Sequence, residues 1–423
     1  MLRLIVPPYN RAVDISGERQ MSAWQEISMR YLILYIVLAV PFAVPAHAQE
    51  DELPTLKVDR IPSLPAFSGQ TRAPAAKPST YIVETVVTGL SSPWAMAFLP
   101  DGEILISEYT GAMRIVAGGG VISPPLTGLP ELSHEGWAGL FDIALDPDFE
   151  RNHFVYFSYT AKSGDADSPN IPRVARGRLV RDQLHLADVE VLIDGDAWQE
   201  LHFAPDGKLL VSGTSVDPDA DAQDLSSTSG KILRINTDGS IPTDNPWTDT
   251  PNVRAEIYSY GHRDISGFAT HPKTGDIWIS EHGPRGGDEI NIIQAGANYG
   301  WKVISYGTAY TGSPIGDGQA SKDGMQQPLY FWRPSIAPSG LSFYSGNMFP
   351  EWRDSLFITS LSGQHISRLE LDGERVLAEE RLLVDRTQRI RELREGPDGA
   401  LYVLTNEEGD APKGTAELLR IFN

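Results

Sequence analysis

The stretch from Trp94 to Tyr109, WAMAFLPDGEILISEY, decides the fold. Two strand-forming runs flank Pro100-Asp101-Gly102, a tight turn in which Asp and Gly accept backbone conformations that other residues resist. Six such units over roughly 340 residues give about 55 residues each, the size of a propeller blade with loop insertions. We therefore predict an all-β fold, a six-bladed β-propeller. The other copies are FDIALDPDFERNHFVYFSY (141–159), LHFAPDGKLLVSG (201–213), GFATHPKTGDIWISEHG (267–283), SGLSFYSGNMFPEWRDSLFITS (339–360) and LREGPDGALYVLT (393–405).

A β-sandwich and a β-helix are the alternatives. The repeats are too long for β-helix rungs, and six hairpins exceed one sandwich. The chain ends also suit ring closure, because ELLRIF (417–422) could pair with the strand that begins near Tyr81. The propeller is the favoured fold.

The first 80 residues are predicted to lie outside the propeller. Residues 31–44 are apolar, Arg30 precedes them and Ala46-His47-Ala48 follows, a pattern typical of a secretory signal. We interpret 1–48 as leader and export signal, with Met29 as an alternative start and an uncleaved anchor as the competing interpretation. Residues 49–80 hold five prolines and predict an extended tether, disordered or draped over the domain at 81–423. The protein is predicted to be periplasmic or secreted, with no stable membrane insertion.

Composition excludes several classes of function. The chain of 423 residues has 56 acidic and 35 basic residues, a net charge of −21, which disfavours nucleic acid and anionic membranes. It has no cysteine, so disulfides, thiolate metal sites and cysteine nucleophiles are excluded. Its nine histidines show neither HxH nor HExxH spacing, which argues against zinc.

Three arginines are candidates for binding an anionic ligand. Arg263, Arg389 and Arg391 belong to different predicted blades, so they can meet only at the central channel. Converging guanidinium groups suit a ligand with several carboxylates, because each pairs bidentately with one of them. The alternative is three solvated surface arginines.

Acidic residues at two places could bind calcium. Glu289 follows Gly286-Gly287, a turn able to present carbonyl oxygens, although a salt bridge between blades is the alternative. Asp217, Asp219 and Asp221 alternate as in a calcium loop. However, Ala222 and Thr228 stand where that loop needs Gly and Glu, so we interpret this stretch as a solvated acidic loop. His202, in a strand entering a turn, is interpreted as structural.

Four long motifs carry a family resemblance that covers roughly Tyr81 to Phe422. The chain resembles the soluble aldose dehydrogenases dependent on pyrroloquinoline quinone (PQQ), the glucose/sorbosone dehydrogenase type. The motifs are AQDLSSTSGKILRINTDGSIPTDNPW (222–247), YSYGHRDISGFATHPKTGDIWISEHGPRGGDEINIIQAGANYGWKVISYG (258–307), QQPLYFWRPSIAPSGLSFY (326–344) and DRTQRIRELREGPDGALYVLTNE (385–407).

The resemblance implies a cofactor, a metal and the residues that hold them. In the family, PQQ lies over the channel on a calcium ion, and a histidine takes the proton of the sugar hydroxyl. The residues implied at calcium are Glu289 and the carbonyl of Tyr299. The residues implied at PQQ are Arg263, Tyr310, Arg389 and Arg391.

Several family positions are changed in this chain. The HFGGRL segment that begins with the catalytic histidine aligns with 196–201, so the histidine becomes Asp196. A free Asp, with a pKa near 3.9 against about 6.5 for His, is the weaker base unless burial raises its pKa. The other changes are Thr214 for the aspartate that partners the histidine, Trp137 for a glutamine, Asp264 for the asparagine after Arg263, and Ser362 for a lysine of some members.

Two of these changes affect the cofactor pocket directly. Trp137 could cover or fill the quinone pocket. Asp264 adds a negative charge beside an anionic cofactor.

Three functions are compatible with these observations. The first is PQQ- and calcium-dependent oxidation of aldoses or related hydroxyl compounds, with Asp196 as the base and a quinone or cytochrome as electron acceptor. The second is a non-catalytic relative that binds a sugar or a partner protein. The third is a calcium-dependent lactonase, which the GHR (261–263) and GPRGGDE (283–289) segments argue against.

Overall fold

The computed structural model describes residues 64–135, 138–163, 170–196, 198–215, 221–407 and 414–423, with side chains undescribed at 198 and 199. The predicted leader and export signal lie outside these residues, as do Trp137, Asp217 and Asp219. No helix in the described part of the chain is long and apolar enough to cross a membrane.

Six four-stranded antiparallel sheets form the blades, which confirms the predicted six-bladed β-propeller. In five of them the strands follow chain order from the channel outward. These are β2 (Pro93–Phe98), β3 (Ile104–Glu108), β4 (Ala112–Ala117) and β5 (Val121–Ile122) in blade 1; β6 (Leu140–Leu145), β7 (Phe154–Ala161), β8 (Ile171–Val180) and β9 (His185–Asp194) in blade 2; β10 (Trp198–Phe203), β11 (Leu209–Gly213), β12 (Lys231–Ile235) and β13 (Ile257–Tyr260) in blade 3; β14 (Ile265–Thr270), β15 (Ile277–Glu281), β16 (Asp288–Ile292) and β17 (Tyr330–Trp332) in blade 4; and β18 (Pro338–Phe343), β19 (Leu356–Ser360), β20 (Ile366–Asp372) and β21 (Arg375–Leu382) in blade 5.

Blade 6 closes the ring with strands from distant parts of the sequence. It holds β22 (Arg389–Glu395), β23 (Leu401–Asn406), β24 (Ala416–Phe422) and, outermost, β1 (Ile82–Leu90). β1 pairs antiparallel with β24, from Ile82 opposite Phe422 to Leu90 opposite Ala416. The predicted pairing of ELLRIF with the first strand is therefore confirmed. The described helices are short: α1 (Phe149–Asn152) and 3₁₀ turns at Arg181–Gln183, Pro350–Trp352 and Val384–Arg386.

The hydrophobic core lies between adjacent blades. Trp94, Phe141 and Phe157 pack between blades 1 and 2, and Phe349 and Trp352 belong to the cluster between blades 5 and 6. Burial of these faces supplies the main stabilising force, since the chain has no disulfide.

The innermost strands stand side by side around the channel and begin at the same end. They contact one another in the order β2, β6, β10, β14, β18 and β22, with β22 returning to β2. Ser339, near the start of β18, donates its hydroxyl to the carbonyl of Ile390, near the start of β22, at 2.6 Å. A residue that precedes any innermost strand is therefore placed at one mouth of the channel.

Residues 64–80 lie against blades 4 and 5. The side chain of Gln70 is buried and donates to the carbonyl of Pro328 at 2.8 Å. Ala75 forms a parallel bridge with Glu379 of β21, and the hydroxyl of Ser79 donates to Glu380 at 2.8 Å. The boundary at residue 81 stays a prediction.

Candidate active site

Most of the predicted site residues precede or begin an innermost strand. Asp196 comes before β10, Arg263 and Asp264 come before β14, and Arg389 and Arg391 begin β22. The prediction that the three arginines belong to different blades is wrong for Arg389 and Arg391, which are two residues apart on the same strand. Arg391 interacts electrostatically with Arg389 and with Asp264, and Asp264 also interacts with Arg263. We call this end of the channel, defined by Arg263, Asp264, Arg389 and Arg391, the cationic mouth.

Arg391 is held by an aromatic ring. Its guanidinium carbon lies 4.0 Å from the centroid of the Trp94 ring. Its Nε is buried and has no hydrogen-bond partner among the described residues. Burial lowers the pKa of Arg391 to about 10, an effect that Glu200 opposes and Arg389 reinforces. A half-buried cation with a buried spare donor suits an anionic ligand.

Blade 4 contributes Arg263 and Asp264 to the mouth. The buried Arg263 donates from Nη1 to the carbonyl of His282 at 3.0 Å, and its guanidinium carbon lies 5.5 Å from the Trp301 ring. Asp264 is half-buried, and burial raises its pKa against the opposing influence of His282 and Arg263. Its Oδ1 has no hydrogen-bond partner in the described part of the chain. An unpartnered carboxylate oxygen at this position leaves an acceptor open beside the arginines.

A buried histidine, missed by the sequence analysis, fixes Tyr299. The His262 Nδ1 lies 3.0 Å from Glu281 Oε2, and its Nε2 lies 2.9 Å from the hydroxyl of Ser259. The His262 ring stacks on the Tyr299 ring at 4.6 Å between centroids. The Tyr299 N–H donates to the carbonyl of Tyr260 at 2.8 Å, so both the ring and the backbone N–H of Tyr299 are held in place.

Glu289 is the carboxylate best suited to a cation. It lies opposite Glu281 in the β15–β16 pair and accepts a hydrogen bond from Asn291 at 3.2 Å. Burial, followed by the charge of Glu281, raises the pKa of Glu289 to about 8. The adjacent Asp288 is committed elsewhere, to Gly283 N–H and to the loop at 335–337.

No cluster of three Asp, Glu or His ligands exists among the described residues, so a cation at Glu289 needs backbone carbonyls as well. Calcium accepts such a mixed set of oxygen ligands. The residues present therefore fit calcium at Glu289 and a polyanion at the cationic mouth.

Asp196 lies at the rim of the mouth and is exposed. Its Oδ2 accepts from the Thr228 hydroxyl at 2.6 Å, the Thr228 N–H at 3.1 Å and the Ser227 hydroxyl at 3.1 Å. Partial burial raises the pKa of Asp196, but these hydrogen bonds outweigh it and the net pKa is lowered. Burial therefore does not raise the pKa of Asp196 overall, and Asp196 stays a weaker base than a histidine.

Residues 90–419 match the family described as Glucose / Sorbosone dehydrogenase. The chain belongs to this family. It is 38% identical over 356 residues to aldose sugar dehydrogenase YliI of Escherichia coli, covering 82% of this chain and 94% of that protein. A crystal structure of a glucose dehydrogenase superposes with a TM-score of 0.76 at 39% identity, covering 80% of this chain and 99% of the other. The PQQ-bound aldose sugar dehydrogenase of Streptomyces coelicolor gives a TM-score of 0.67 at 29% identity, covering 82% and 99%.

These similarities confirm the predicted family and its reaction class, the oxidation of sugars. The other residues that the family resemblance singled out are found in different environments. Tyr310 is 74% exposed and sits in a turn that Ala309 and Ser313 close with a 2.9 Å hydrogen bond. Ser362 is exposed in the loop after β19, and Thr214 is buried at the end of β11. Trp137 lies outside the described residues, so its role stays a prediction.

The channel of this family member also contains a group of buried acids that the sequence analysis missed. Asp142 of β6, Glu200 of β10 and Glu392 of β22 are all buried. Asp142 Oδ2 accepts the N–H of Leu201, the residue after Glu200, at 2.7 Å, and Arg394 Nε lies 3.1 Å from Glu392 Oε1. A signal existed in the sequence, because each acid interrupts the apolar pattern of an innermost strand.

Proposed function

We propose that this protein is a PQQ- and calcium-dependent dehydrogenase that oxidises aldose sugars or related hydroxyl compounds. One observation carries the proposal: Arg263 precedes the innermost strand of blade 4, and Arg389 and Arg391 begin the innermost strand of blade 6, at the same mouth of the channel. The spare Nε donor of Arg391 supports it, because a ligand carboxylate would satisfy that donor. The PQQ-bound relative from Streptomyces coelicolor supports the choice of polyanion.

The proposal gives each residue a role in holding the cofactor and the metal. Arg263, Arg389 and Arg391 pair with cofactor carboxylates. Glu289 and the carbonyl of Tyr299 contribute oxygens to calcium. The residues proposed to cover the edges of the cofactor are Trp137, Tyr310 and Asp264.

The chemistry divides between the cofactor and Asp196. When bound, PQQ supplies the hydride acceptor for the sugar carbon. Asp196 accepts the proton of the sugar hydroxyl. Its three hydrogen bonds end on Oδ2, so we assign the proton to Oδ1. Because its pKa is low, Asp196 stays in the accepting form at neutral pH but provides less driving force than a histidine.

The proposed setting is the periplasm or the cell exterior, in agreement with the predicted export signal. Electrons are proposed to leave to an external quinone or cytochrome. The acidic net charge of −21 favours a basic acceptor surface.

Reconstitution tests the proposal. The purified protein is titrated with PQQ in the presence and absence of calcium, and bound quinone is measured by its absorption band and by calorimetry. Aldoses and a dye acceptor are then added. We expect calcium-dependent binding and dye reduction, both weakened in Arg391→Lys. The matched control is Arg420→Lys, because Arg420 also stacks on a ring, Phe422 at 4.6 Å, but on the closing strand β24.

The low pKa of Asp196 favours one alternative, a non-catalytic relative that keeps the propeller. That function predicts PQQ binding without turnover on any sugar or alcohol. Absence of PQQ binding under all conditions contradicts both forms of the proposal, and recovery of binding in Trp137→Gln would assign the failure to an occluded pocket.

A further inference from the structure

The inference starts from Glu281, a buried carboxylate whose two oxygens both have hydrogen-bond partners. Its Oε1 accepts the backbone N–H of Arg263 at 3.0 Å, and its Oε2 lies 3.0 Å from His262 Nδ1. A carboxylate offers only acceptors, so the proton of this second contact belongs on Nδ1. The other ring nitrogen, Nε2, then accepts the hydroxyl proton of Ser259 at 2.9 Å. Glu281 thus orients the His262 ring and fixes the backbone of Arg263.

Blade 1 contains the same backbone contact without the histidine. Glu108 and Glu281 each lie opposite the first residue of an innermost strand, β2 or β14. Each accepts the backbone N–H two residues before that strand begins, at 2.8 Å in blade 1 and 3.0 Å in blade 4. The second oxygen of Glu108 pairs with Arg114 at 3.0 Å, whereas that of Glu281 contacts His262. The contact to the backbone is therefore shared by the two blades, and blade 4 adds the histidine.

His262 transmits this placement to Tyr299. The two rings stack with 4.6 Å between centroids and 24° between planes. The far end of the tyrosine ring is also fixed, because its hydroxyl donates to the carbonyl of Ile292 at 2.7 Å. The His262 side chain is fully buried, so it cannot shift without moving the ring stacked on it. Glu281 therefore acts on Tyr299 through His262.

We propose that Glu281 and His262 are positioning residues that hold Arg263 and Tyr299 in fixed relation, and so keep the Tyr299 carbonyl in place as a calcium ligand. This rests on the proposed function in taking Glu289 and that carbonyl as ligands of the ion. Glu281 lies opposite Glu289 in the β15–β16 pair. It contributes no oxygen to the ion, because both of its oxygens are committed to Arg263 and His262.

Two variants separate placement from charge. His262→Asn keeps a donor near the place of Nδ1 but removes the ring that packs on Tyr299. Glu281→Gln keeps the size of the side chain but removes its charge. The glutamine has one acceptor oxygen, so it can keep the Arg263 N–H only if the proton of His262 moves to Nε2.

Each variant has a matched control elsewhere in the ring. His365→Asn is the control for His262→Asn, because His365 is also buried and uses both ring nitrogens. Its Nδ1 lies 2.7 Å from the carbonyl of Gly363 and its Nε2 lies 3.1 Å from the hydroxyl of Ser367, in blade 5. Glu108→Gln is the control for Glu281→Gln, because it neutralises the equivalent acid of blade 1.

The first measurement needs neither calcium nor PQQ. Nuclear magnetic resonance of the purified protein with isotope-labelled histidine detects ring N–H groups that are protected from exchange with water. We expect a protected Nδ1–H signal that disappears in His262→Asn and persists in His365→Asn. In Glu281→Gln it should be replaced by an Nε2–H signal. Absence of the Nδ1–H signal from the wild type overturns the proposal.

The second measurement is calorimetry with calcium alone. His262→Asn should weaken calcium binding by a factor of about 10 to 100, the usual effect of losing a side chain that orients a metal ligand. Glu281→Gln should keep most of the wild-type affinity, and the two controls should keep all of it. Full affinity in His262→Asn overturns the proposal. A loss in Glu281→Gln as large as that in His262→Asn also overturns it, because charge and not placement would then set the affinity.

A calcium titration of the wild type tests the same link even if His262→Asn does not fold. The Nδ1–H signal of His262, identified through Glu281→Gln, should shift as calcium binds. A signal that stays in place while calcium binds contradicts the proposal. A wild type that binds no calcium contradicts the proposed function and the role given to Tyr299, and the resonance signal then decides the contact between His262 and Glu281 by itself.

Discussion

The guanidinium carbon of Arg391 lies 4.0 Å from the centroid of the Trp94 indole. Trp94 is itself fixed, because its ring stacks with Tyr109 at 5.6 Å and meets the edge of Phe141 at 5.0 Å. A cation over an aromatic face gains about 0.5 to 2 kcal/mol without using its hydrogen-bond donors. The pair thus holds a charge at the cationic mouth while leaving its donors free for a ligand.

Trp94→Phe is expected to weaken PQQ binding about fivefold, because the phenyl ring attracts a guanidinium less strongly than the indole does. Calorimetric titration measures the change. Trp278→Phe is the matched control: Trp278 is also buried and its Nε1 also lacks a hydrogen-bond partner among the described residues, but it packs on Phe343 between blades 4 and 5. Both variants should melt at lower temperature. If both variants lost the same PQQ affinity, the loss would come from weaker core packing and not from the contact between Trp94 and Arg391.

Asp196→Asn is expected to lower dye-linked turnover by a factor of about 10² to 10⁴ and to leave PQQ affinity unchanged. The amide cannot accept the hydroxyl proton. Because the pKa of Asp196 is lowered, wild-type activity should persist at mildly acidic pH and fall only as the pH drops below the usual range of an aspartate. The stability contributed by its hydrogen bonds is lost over the same acidic range.

Asp238→Asn is the control for that variant. Asp238 accepts the N–H and hydroxyl of Ser240 at 3.0 and 2.6 Å, a comparable arrangement in a turn after β12. Its turnover should equal that of the wild type. If Asp196→Asn also retains full turnover, another group accepts the proton.

Glu289→Gln is expected to abolish stabilisation by calcium. Added calcium should raise the melting temperature of the wild type, because a ligand that binds only the folded state stabilises it. The neutral amide removes the one carboxylate assigned to the ion. Differential scanning calorimetry with calcium and with magnesium measures the effect. Asp221→Asn, in the acidic loop interpreted as solvated, should keep the full response; loss of the response there instead would move the site to that loop.

His202→Gln is expected to make the protein less sensitive to acid. Burial lowers the pKa of His202 to about 3, whereas the unfolded chain has a pKa near 6.5. Between these values the unfolded state binds the extra proton, so stability falls with falling pH by up to about 1.4 kcal/mol per pH unit. Glutamine removes this slope and can still contact Thr270. Denaturant unfolding at several pH values measures it, with the exposed His134→Gln as control; identical slopes in all three proteins would contradict the prediction.

The blade pattern and the closing strand were predictable because both depend on local signals. Turns such as Pro100-Asp101-Gly102 and alternating strands fix the repeat, and ELLRIF has nowhere to pair except in the incomplete blade. The topology also places Arg263 and the pair Arg389 and Arg391 at the starts of innermost strands, although the sequence analysis wrongly assigned the pair to two blades.

The protonation states were not predictable, because they depend on distances between blades. The pKa of Asp196 is set by Thr228 and Ser227, 32 and 31 residues away in sequence. The Leu201 N–H meets Asp142 only because β6 and β10 are neighbours around the channel. The sequence shows three acidic residues that interrupt the apolar pattern of innermost strands, but it does not show which groups they contact.

The pairing of β1 with β24 has a consequence for synthesis. Blade 6 holds only its outermost strand until β22, β23 and β24 have been synthesised, so the ring cannot close before β24 is available to pair with β1. Until then the other five blades would form an open ring, and the two blades beside the gap would each contact only one neighbouring blade. Closure is then a single late event that joins sequence neighbours of Ile82 to those of Phe422. In a circularly permuted chain whose new termini lie in a loop between two other blades, β24 and β1 would be joined in sequence. The ring would then close between those two other blades.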